Sequence, residues 1–416
     1  MIRRLTFIAI VVGLVAVGLV AQASAYLLAP PAPAHRGGSD PTNVSSLAEP
    51  GPYPSGVRTV TADEAPMAFT LWYPTDGPDE VHDLTYAYGI NMLGAESSVA
   101  LATFTGHATP GALADTSDGP YPLVIVSHGF AITPSSYAWL AEHLVSHGFV
   151  VAAPSHSESL DPRGLWRATV DRPADVVELL VYLDHDVRAA GDFAGLIDTE
   201  SVAVVGHSYG GYTALAAAGA RLDMDGFRDI CEHEISSRDP LEFQCDALVD
   251  HADDMAALAG LDATPSGLWP TAGDDRIDAV VSVAGDAAMF GTSGLAEISV
   301  PALTIGGTAD TDSPLEWGNR LAYEHASSAR KAEVVLTGAD HMIFAGGCER
   351  MRRIELLVSL GFCTNPGWNR NEVHDVVNHY VAAFLLAELK ADRFAAEALE
   401  PANQNPPRTT YRSVGF

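Results

Sequence analysis

Ser208 stands at the centre of Gly206-His207-Ser208-Tyr209-Gly210, and a G-x-S-x-G pentapeptide between a strand and a helix presents its serine hydroxyl as a nucleophile. The flanks supply that context. The β-branched run Ser201-Val202-Ala203-Val204-Val205 precedes it, and Gly211-Tyr212-Thr213-Ala214-Leu215-Ala216-Ala217-Ala218 follows. The turn between must be tight, and glycines are needed where a Cβ would clash as strand and helix close up. The competing reading is an ordinary glycine-rich turn, which these flanks argue against.

A serine hydroxyl is a poor nucleophile at neutral pH. It needs a base within hydrogen-bond reach and a third group that holds the base in the right tautomer. After such an elbow the partners follow in chain order, acid and then histidine, each on a loop beyond a later strand. The predicted strand 333–336 runs into Thr337-Gly338-Ala339-Asp340-His341-Met342, which makes His341 the expected base. The predicted strand 302–305 runs into Gly306-Gly307-Thr308-Ala309-Asp310-Thr311-Asp312-Ser313-Pro314. Asp310 lies nearer the strand end and is favoured as the acid. Asp312, which precedes Ser-Pro as a helix-start residue would, stays open. Asp340 is too close to His341 in sequence to face its ring and reads as solvated. His143, His147 and His251 read as surface or helix residues.

The tetrahedral intermediate formed when a serine attacks a carbonyl needs donors for its oxyanion, each contributing roughly 3–4 kcal/mol. The backbone N–H of Tyr209 is one expected donor. The other belongs to the loop after the predicted strand 123–126, Ser127-His128-Gly129-Phe130-Ala131, where Gly129 lets the backbone turn inward. That makes the Phe130 N–H the second. His128 and His207 would lie near the serine and read as packing residues. No CxxC or Cys/His cluster occurs, so neither a metal nor a cofactor is expected.

The elements that must position these groups alternate. Strands are predicted over 57–61, 67–73, 123–126, 149–153, 201–205, 277–283, 302–305 and 333–336. Helices are predicted over 135–147, 173–183, from the elbow to about 220, and 372–389. Continuously apolar strands between helices imply an α/β fold with a mostly parallel sheet covered on both faces. Residues 222–275 break the rhythm, being acidic and irregular. An insertion there can lie over the C-terminal sheet edge, where open α/β sheets bind ligands. A cap and a plain surface excursion both remain open.

Several of these stretches resemble known families. Ser127-His128-Gly129-Phe130 and Ser146-His147-Gly148-Phe149-Val150-Val151 resemble the bacterial cutinase and polyester hydrolase group. They equally resemble the platelet-activating-factor acetylhydrolase and predicted dienelactone hydrolase group. The elbow and Thr308-Ala309-Asp310 with Ser313-Pro314 match both. Gly56-Val57-Arg58-Thr59-Val60, Leu71-Trp72-Tyr73-Pro74, Arg172-Pro173-Ala174-Asp175 and Asp275-Arg276-Ile277-Asp278 are more similar to the second group. The resemblance covers residues 56–345. It implies an α/β-hydrolase fold and ester cleavage, with Ser208, Asp310 and His341 as the triad and Phe130 and Tyr209 as oxyanion donors. Polyester hydrolases look nearly lidless where residues 222–275 stand here, which disfavours a bulky polymer. Dienelactone hydrolases use a cysteine nucleophile, so Ser208 argues against that activity. A phospholipase-like or polyester-cleaving enzyme is the rival within the class. A hydrolase scaffold that binds without turnover is the rival outside it.

Composition bounds the rest. The net charge of −30, with two lysines among 23 basic residues, repels nucleic acid and anionic membranes and names no substrate; the small-molecule or lipid-like ester expected as partner is what the family resemblance implies. Arg3 and Arg4, the apolar stretch 5–20 and Ala23-Ser24-Ala25 read as a secretory signal over 1–25, with an uncleaved anchor as the alternative. A secreted or envelope-associated protein follows. Residues 26–55 form a Pro/Gly/Ser-rich lead-in, 56–395 the hydrolase domain, and 396–416 a loose tail. Cys231, Cys245, Cys348 and Cys363 suggest two disulfides, and proximity favours Cys231–Cys245 and Cys348–Cys363.

Overall fold

A computed structural model describes residues 46–77, 84–94, 97–236, 239, 241–346, 367–404 and 406–416. The strands are β1 (Ser55–Val60), β2 (Phe69–Pro74), β3 (Leu84–Asn91), β4 (Ser98–Gly106), β5 (Thr109–Pro110), β6 (Tyr121–Ser127), β7 (Val150–Pro154), β8 (Ile197–His207), β9 (Ile277–Val283), β10 (Ala302–Gly307), β11 (Lys331–Leu336) and β12 (Thr409–Val414). Ten of them form one sheet in the order β12-β11-β10-β9-β8-β6-β7-β2-β1-β5. From β7 to β11 all pairings are parallel, while β2 on β7, β1 on β2 and β12 on β11 are antiparallel. This is the expected α/β architecture.

The sequence order reverses at β6. The chain leaves β6 toward β7 on one side and returns to β8 on the other. The loops after β6 and β8 therefore diverge at their C-terminal ends and open a crevice, the usual ligand position in such sheets. All seven residues of β6 are buried. Its period of two sends Val124 and Val126 to one face, where they meet helices α1 (Ala138–Ser146) and α9 (Arg370–Leu389). Leu123 and Ile125 face the other side, with α2 (Leu165–Arg188) and α3 (Tyr209–Ala217).

Helix α2 starts eight residues before the expected Pro173 and runs through it. Proline removes an N–H and leaves the carbonyl four residues earlier without its helical donor. That carbonyl, of Thr169, instead accepts from the Tyr212 hydroxyl at 2.7 Å. A tertiary contact thus replaces the lost bond and lets the helix continue.

Residues 222–275 are more ordered than their composition suggests. They carry α4 (Met224–His233), α5 (Glu242–Leu248) and α6 (Ala252–Leu258), which bury Phe227, Leu248 and Met255. Cys231 and Cys245 are joined by a disulfide. Cys348 and Cys363 lie outside the described residues, as do residues 1–45. Two expectations are corrected. Residues 84–106, given no element in the sequence reading, form the β3–β4 hairpin. The tail 396–416 is not loose: beyond α10 (Arg393–Ala398) it returns as β12 and pairs with all six residues of β11. The main sheet therefore takes in a strand from beyond residue 395. Among the described residues no helix is long and apolar enough to cross a membrane.

Candidate active site

Ser208 adopts φ 58° and ψ −128° at the junction of β8 and α3. Such a conformation costs a non-glycine residue about 1–3 kcal/mol and persists only where its surroundings enforce it. Here the Ser208 N–H donates to the Val283 carbonyl at the end of β9. The flanking glycines are sterically required: a Cβ on Gly206 would lie 1.8 Å from the Gly210 oxygen, and one on Gly210 would lie 2.0 Å from the Ser127 oxygen.

The loops after β10 and β11 bring the expected partners to this turn. Ser208 Oγ donates to His341 Nε2 at 2.8 Å, and His341 Nδ1 donates to Asp310 Oδ2 at 2.9 Å. The other Asp310 oxygen accepts from the Asp312 and Ser313 backbone N–H groups at 2.9 and 2.8 Å. Asp310, rather than Asp312, meets the ring. Burial alone would depress the His341 pKa, but the adjoining Asp310 carboxylate and its hydrogen bond outweigh this and raise it. Asp340 is half-buried rather than freely solvated. It caps the short turn His341–Phe344 by accepting from the Ile343 N–H, and burial lifts its pKa to about 6.

Phe130 and Tyr209 line the same cleft as Ser208 and His341. Among the described residues neither the Phe130 N–H nor the Tyr209 N–H finds an acceptor. Both are therefore available to an incoming oxygen, although donors within a fold are seldom left unpaired. His207 joins two loops. The Gly129 N–H donates to the Tyr137 hydroxyl, which donates to His207 Nδ1 at 2.7 Å, while His207 Nε2 donates to the His341 carbonyl at 3.1 Å. Its pKa is held well below the ordinary range, first by burial and then by His341.

The cleft has a volume of about 340 Å³ and is mostly apolar, with Tyr88, Ile90, Leu165 and Met342 in its walls. The insertion contributes Phe243 and Gln244. Three participants escaped the sequence reading. Asp286, just after β9, accepts from Gln244 Nε2 at 2.7 Å and from Ser313 Oγ at 2.8 Å, linking the insertion to the acid loop. Burial raises its pKa to about 6. The hairpin residues Tyr88 and Ile90 are the others, and their signal was present: Leu84, Tyr86, Tyr88 and Ile90 alternate at period two.

A second Ser–His–Asp chain lies close by. Ser127 Oγ donates to His156 Nε2 at 3.0 Å, and His156 Nδ1 donates to Asp175 Oδ2 at 2.7 Å. Ser127 and His156 are fully buried, so no substrate reaches that hydroxyl. Burial, then Arg172, holds the His156 pKa down, and burial raises that of Asp175 to about 7. The contact is accordingly a hydrogen bond from a neutral imidazole. Among the described residues no group of three or more His, Cys, Asp or Glu is placed to hold a metal ion.

Comparison with known proteins finds partial matches. A family model for chlorophyllase matches residues 108–227, and one for platelet-activating factor acetylhydrolase, isoform II, matches residues 48–161. Cutinase 1 of Thermobifida cellulosilytica is 31% identical over 150 residues, 36% of this chain and 53% of that protein. The bis(hydroxyethyl) terephthalate hydrolase of Streptomyces coelicolor is 36% identical over 126 residues, 30% of this chain and 37% of that protein. Chlorophyllase-1 of Arabidopsis thaliana is 34% identical over 108 residues, 25% of this chain and 30% of that protein. The chain thus spans between 30% and 53% of the length of these relatives. Both family matches take in the loop after β6, and the first also takes in the elbow. Neither reaches Asp310 or His341, whose placement rests on geometry alone.

Proposed function

We propose that this chain, of α/β-hydrolase fold, is an exported serine hydrolase that cleaves carboxylic esters through an acyl-enzyme. The observation that carries the reading is His341 bridging Ser208 and Asp310 at 2.8 and 2.9 Å beside an open cleft. Ser208 Oγ attacks the acyl carbonyl as His341 Nε2 takes its proton. Asp310 holds the imidazole in the required tautomer and stabilises the imidazolium. The Phe130 and Tyr209 N–H groups receive the oxyanion. His341 then returns its proton to the alcohol, which leaves. Water repeats the sequence and releases the acid and free Ser208.

Names among the relatives support this chemistry, since they include cutinase, bis(hydroxyethyl) terephthalate hydrolase and chlorophyllase. Phe243 and Gln244 at the cleft favour a small or lipid-like ester over a polymer surface. Export is supported by the basic and apolar N-terminal segment and by the Cys231–Cys245 disulfide. The test is Ser208→Ala. We expect p-nitrophenyl ester turnover to fall at least about 10⁴-fold with the melting temperature retained. A fluorophosphonate probe should label the natural protein and not the variant. Wild-type turnover by the variant would overturn the proposal.

A further inference from the structure

Directly beneath the loop after β6 lies a buried ion pair. Arg172 of α2 and Glu158 meet at 2.7 Å, with side chains 1% and 7% exposed. Burying a cation is costly, and replacing a buried pair by apolar residues of similar volume is often neutral or stabilising. This pair is not even fully satisfied: Nε and Nη1 of Arg172 are buried without a partner among the described residues. Stability alone is therefore a weak reason for it to be there.

What the pair touches gives a better one. Arg172 Nη2 donates to the Gly129 carbonyl at 3.1 Å, and Glu158 Oε1 accepts from the Ala131 N–H at 3.0 Å. Gly129 and Ala131 flank Phe130. The Gly129 carbonyl and the Phe130 N–H also belong to one peptide unit, which is planar and trans, so they point in opposite directions. A donor fixed on the carbonyl from below aims the N–H upward into the cleft. His128 packs against the same carbonyl, its Nδ1 lying 2.9 Å from the Gly129 oxygen and 3.1 Å from Arg172 Nη2, while its Nε2 accepts from the His156 N–H at 3.3 Å. The Gly129 N–H is tied in turn to the Tyr137 hydroxyl. Ala131 sits at φ 55°, a strained value that the Glu158 bond helps to enforce.

We propose that Arg172 and Glu158 are positioning residues that aim the Phe130 N–H at the developing oxyanion. The inference rests on the ester-hydrolase reading and deepens it. A carbonyl that accepts from a guanidinium also polarises its own peptide, which strengthens the opposite N–H as a donor. The guanidinium lies 5.8 Å from the Tyr209 ring centroid, so it also packs beside the residue carrying the other oxyanion donor.

The test is the paired replacement Arg172→Met/Glu158→Met, which leaves no unpaired buried charge. Losing the aim of one oxyanion donor should lower kcat by roughly 10–100-fold, up to the range for removing a donor outright. KM should stay within about twofold, because the ground-state ester hardly uses that bond. A trifluoromethyl ketone, whose hemiketal oxygen occupies the oxyanion position, should bind weaker by the same factor as kcat falls. The melting temperature should hold or rise, a combination that a merely structural role would not produce. Should the pair fail to fold, Arg172→Lys is measured in the same way, and an intermediate loss in kcat and ketone affinity is expected. Unchanged kcat in a folded variant, or a loss confined to KM with ketone affinity intact, overturns the assignment. A natural protein that neither turns over p-nitrophenyl esters nor binds the ketone overturns the underlying reading instead.

Discussion

Ser208 and Ser127 each donate to a histidine whose other nitrogen meets an aspartate, yet they differ in one respect that decides their chemistry. Ser208 opens on the cleft, whereas Ser127 is sealed in the sheet. Bonding pattern makes a hydroxyl basic enough to attack, and access gives it something to attack. The same contrast applies to the acids. Asp310 turns one oxygen to His341 and the other to two backbone N–H groups, so it is held while Asp312 is not. Because Asp310 raises the His341 pKa against the depression from burial, Asp310→Asn should act on rate and on pH profile together. The neutral imidazole is the active base, so kcat/KM rises with pH through its pKa, above the ordinary value of about 6.5 in the natural protein. Removing the carboxylate takes away the main opposition to burial, leaving only Asp312 and Asp286 to raise the pKa, and moves that limb to lower pH. The rate on the plateau should fall by about 10³–10⁴-fold. A pH–rate profile of both proteins on one p-nitrophenyl ester measures each effect, and an unmoved limb would assign the role to another group.

Elements place these residues by their ends. The strained turn at Ser208 is enforced by β8, β9 and α3 closing on one another, and no single element holds it. Helix α2 shows the same dependence, since its passage through Pro173 relies on a hydroxyl from α3. In the insertion, the disulfide ties α4 to α5 next to the cleft residues Phe243 and Gln244. Cross-linking residues 14 apart should contribute about 2–3 kcal/mol through the unfolded chain. Cys231→Ser/Cys245→Ser is therefore expected to lower the unfolding free energy by that amount and the urea midpoint with it. It should also raise KM more than it lowers kcat, because the cleft wall loosens while the triad loops are untouched. Steady-state kinetics beside a urea titration check both, and equal losses in kcat and kcat/KM would point to a triad disturbed from afar.

Over the whole molecule the dominant quantity is charge. With 53 acidic against 23 basic residues, the surface repels itself as well as polyanions. Raising NaCl from about 0.01 to about 1 M shortens the Debye length from roughly 30 to roughly 3 Å and should relieve that repulsion. The melting temperature is expected to climb over this range. A flat or falling curve would mean that local pairs such as Arg276 with Asp184 and Asp274, or Arg412 with Glu324 and Glu333, already balance the excess.

The elbow, the order of its partners, the parallel strands and the two cysteines of the insertion were legible in the sequence. Each is a local pattern: a glycine spacing, a β-branched run, or a loop that follows a strand. The β3–β4 hairpin was equally written in its alternation, and Asn91, which ends β3, and Gly94 just beyond it are turn residues. Three things were decided only by the fold. Asp310 was favoured in the sequence with Asp312 left open, and only the fold shows which carboxylate the loop after β10 turns to His341. The tail became a strand because β11 offered a row of backbone groups for it to pair with, a partner that the strand formers Thr409, Thr410, Tyr411 and Val414 do not name by themselves. The pair beneath Phe130 joins residues 14 apart in sequence with a loop some 30 residues upstream of Glu158. Neither Arg172 nor Glu158 carries a motif, because what distinguishes them is burial against one peptide bond, and burial belongs to the tertiary structure.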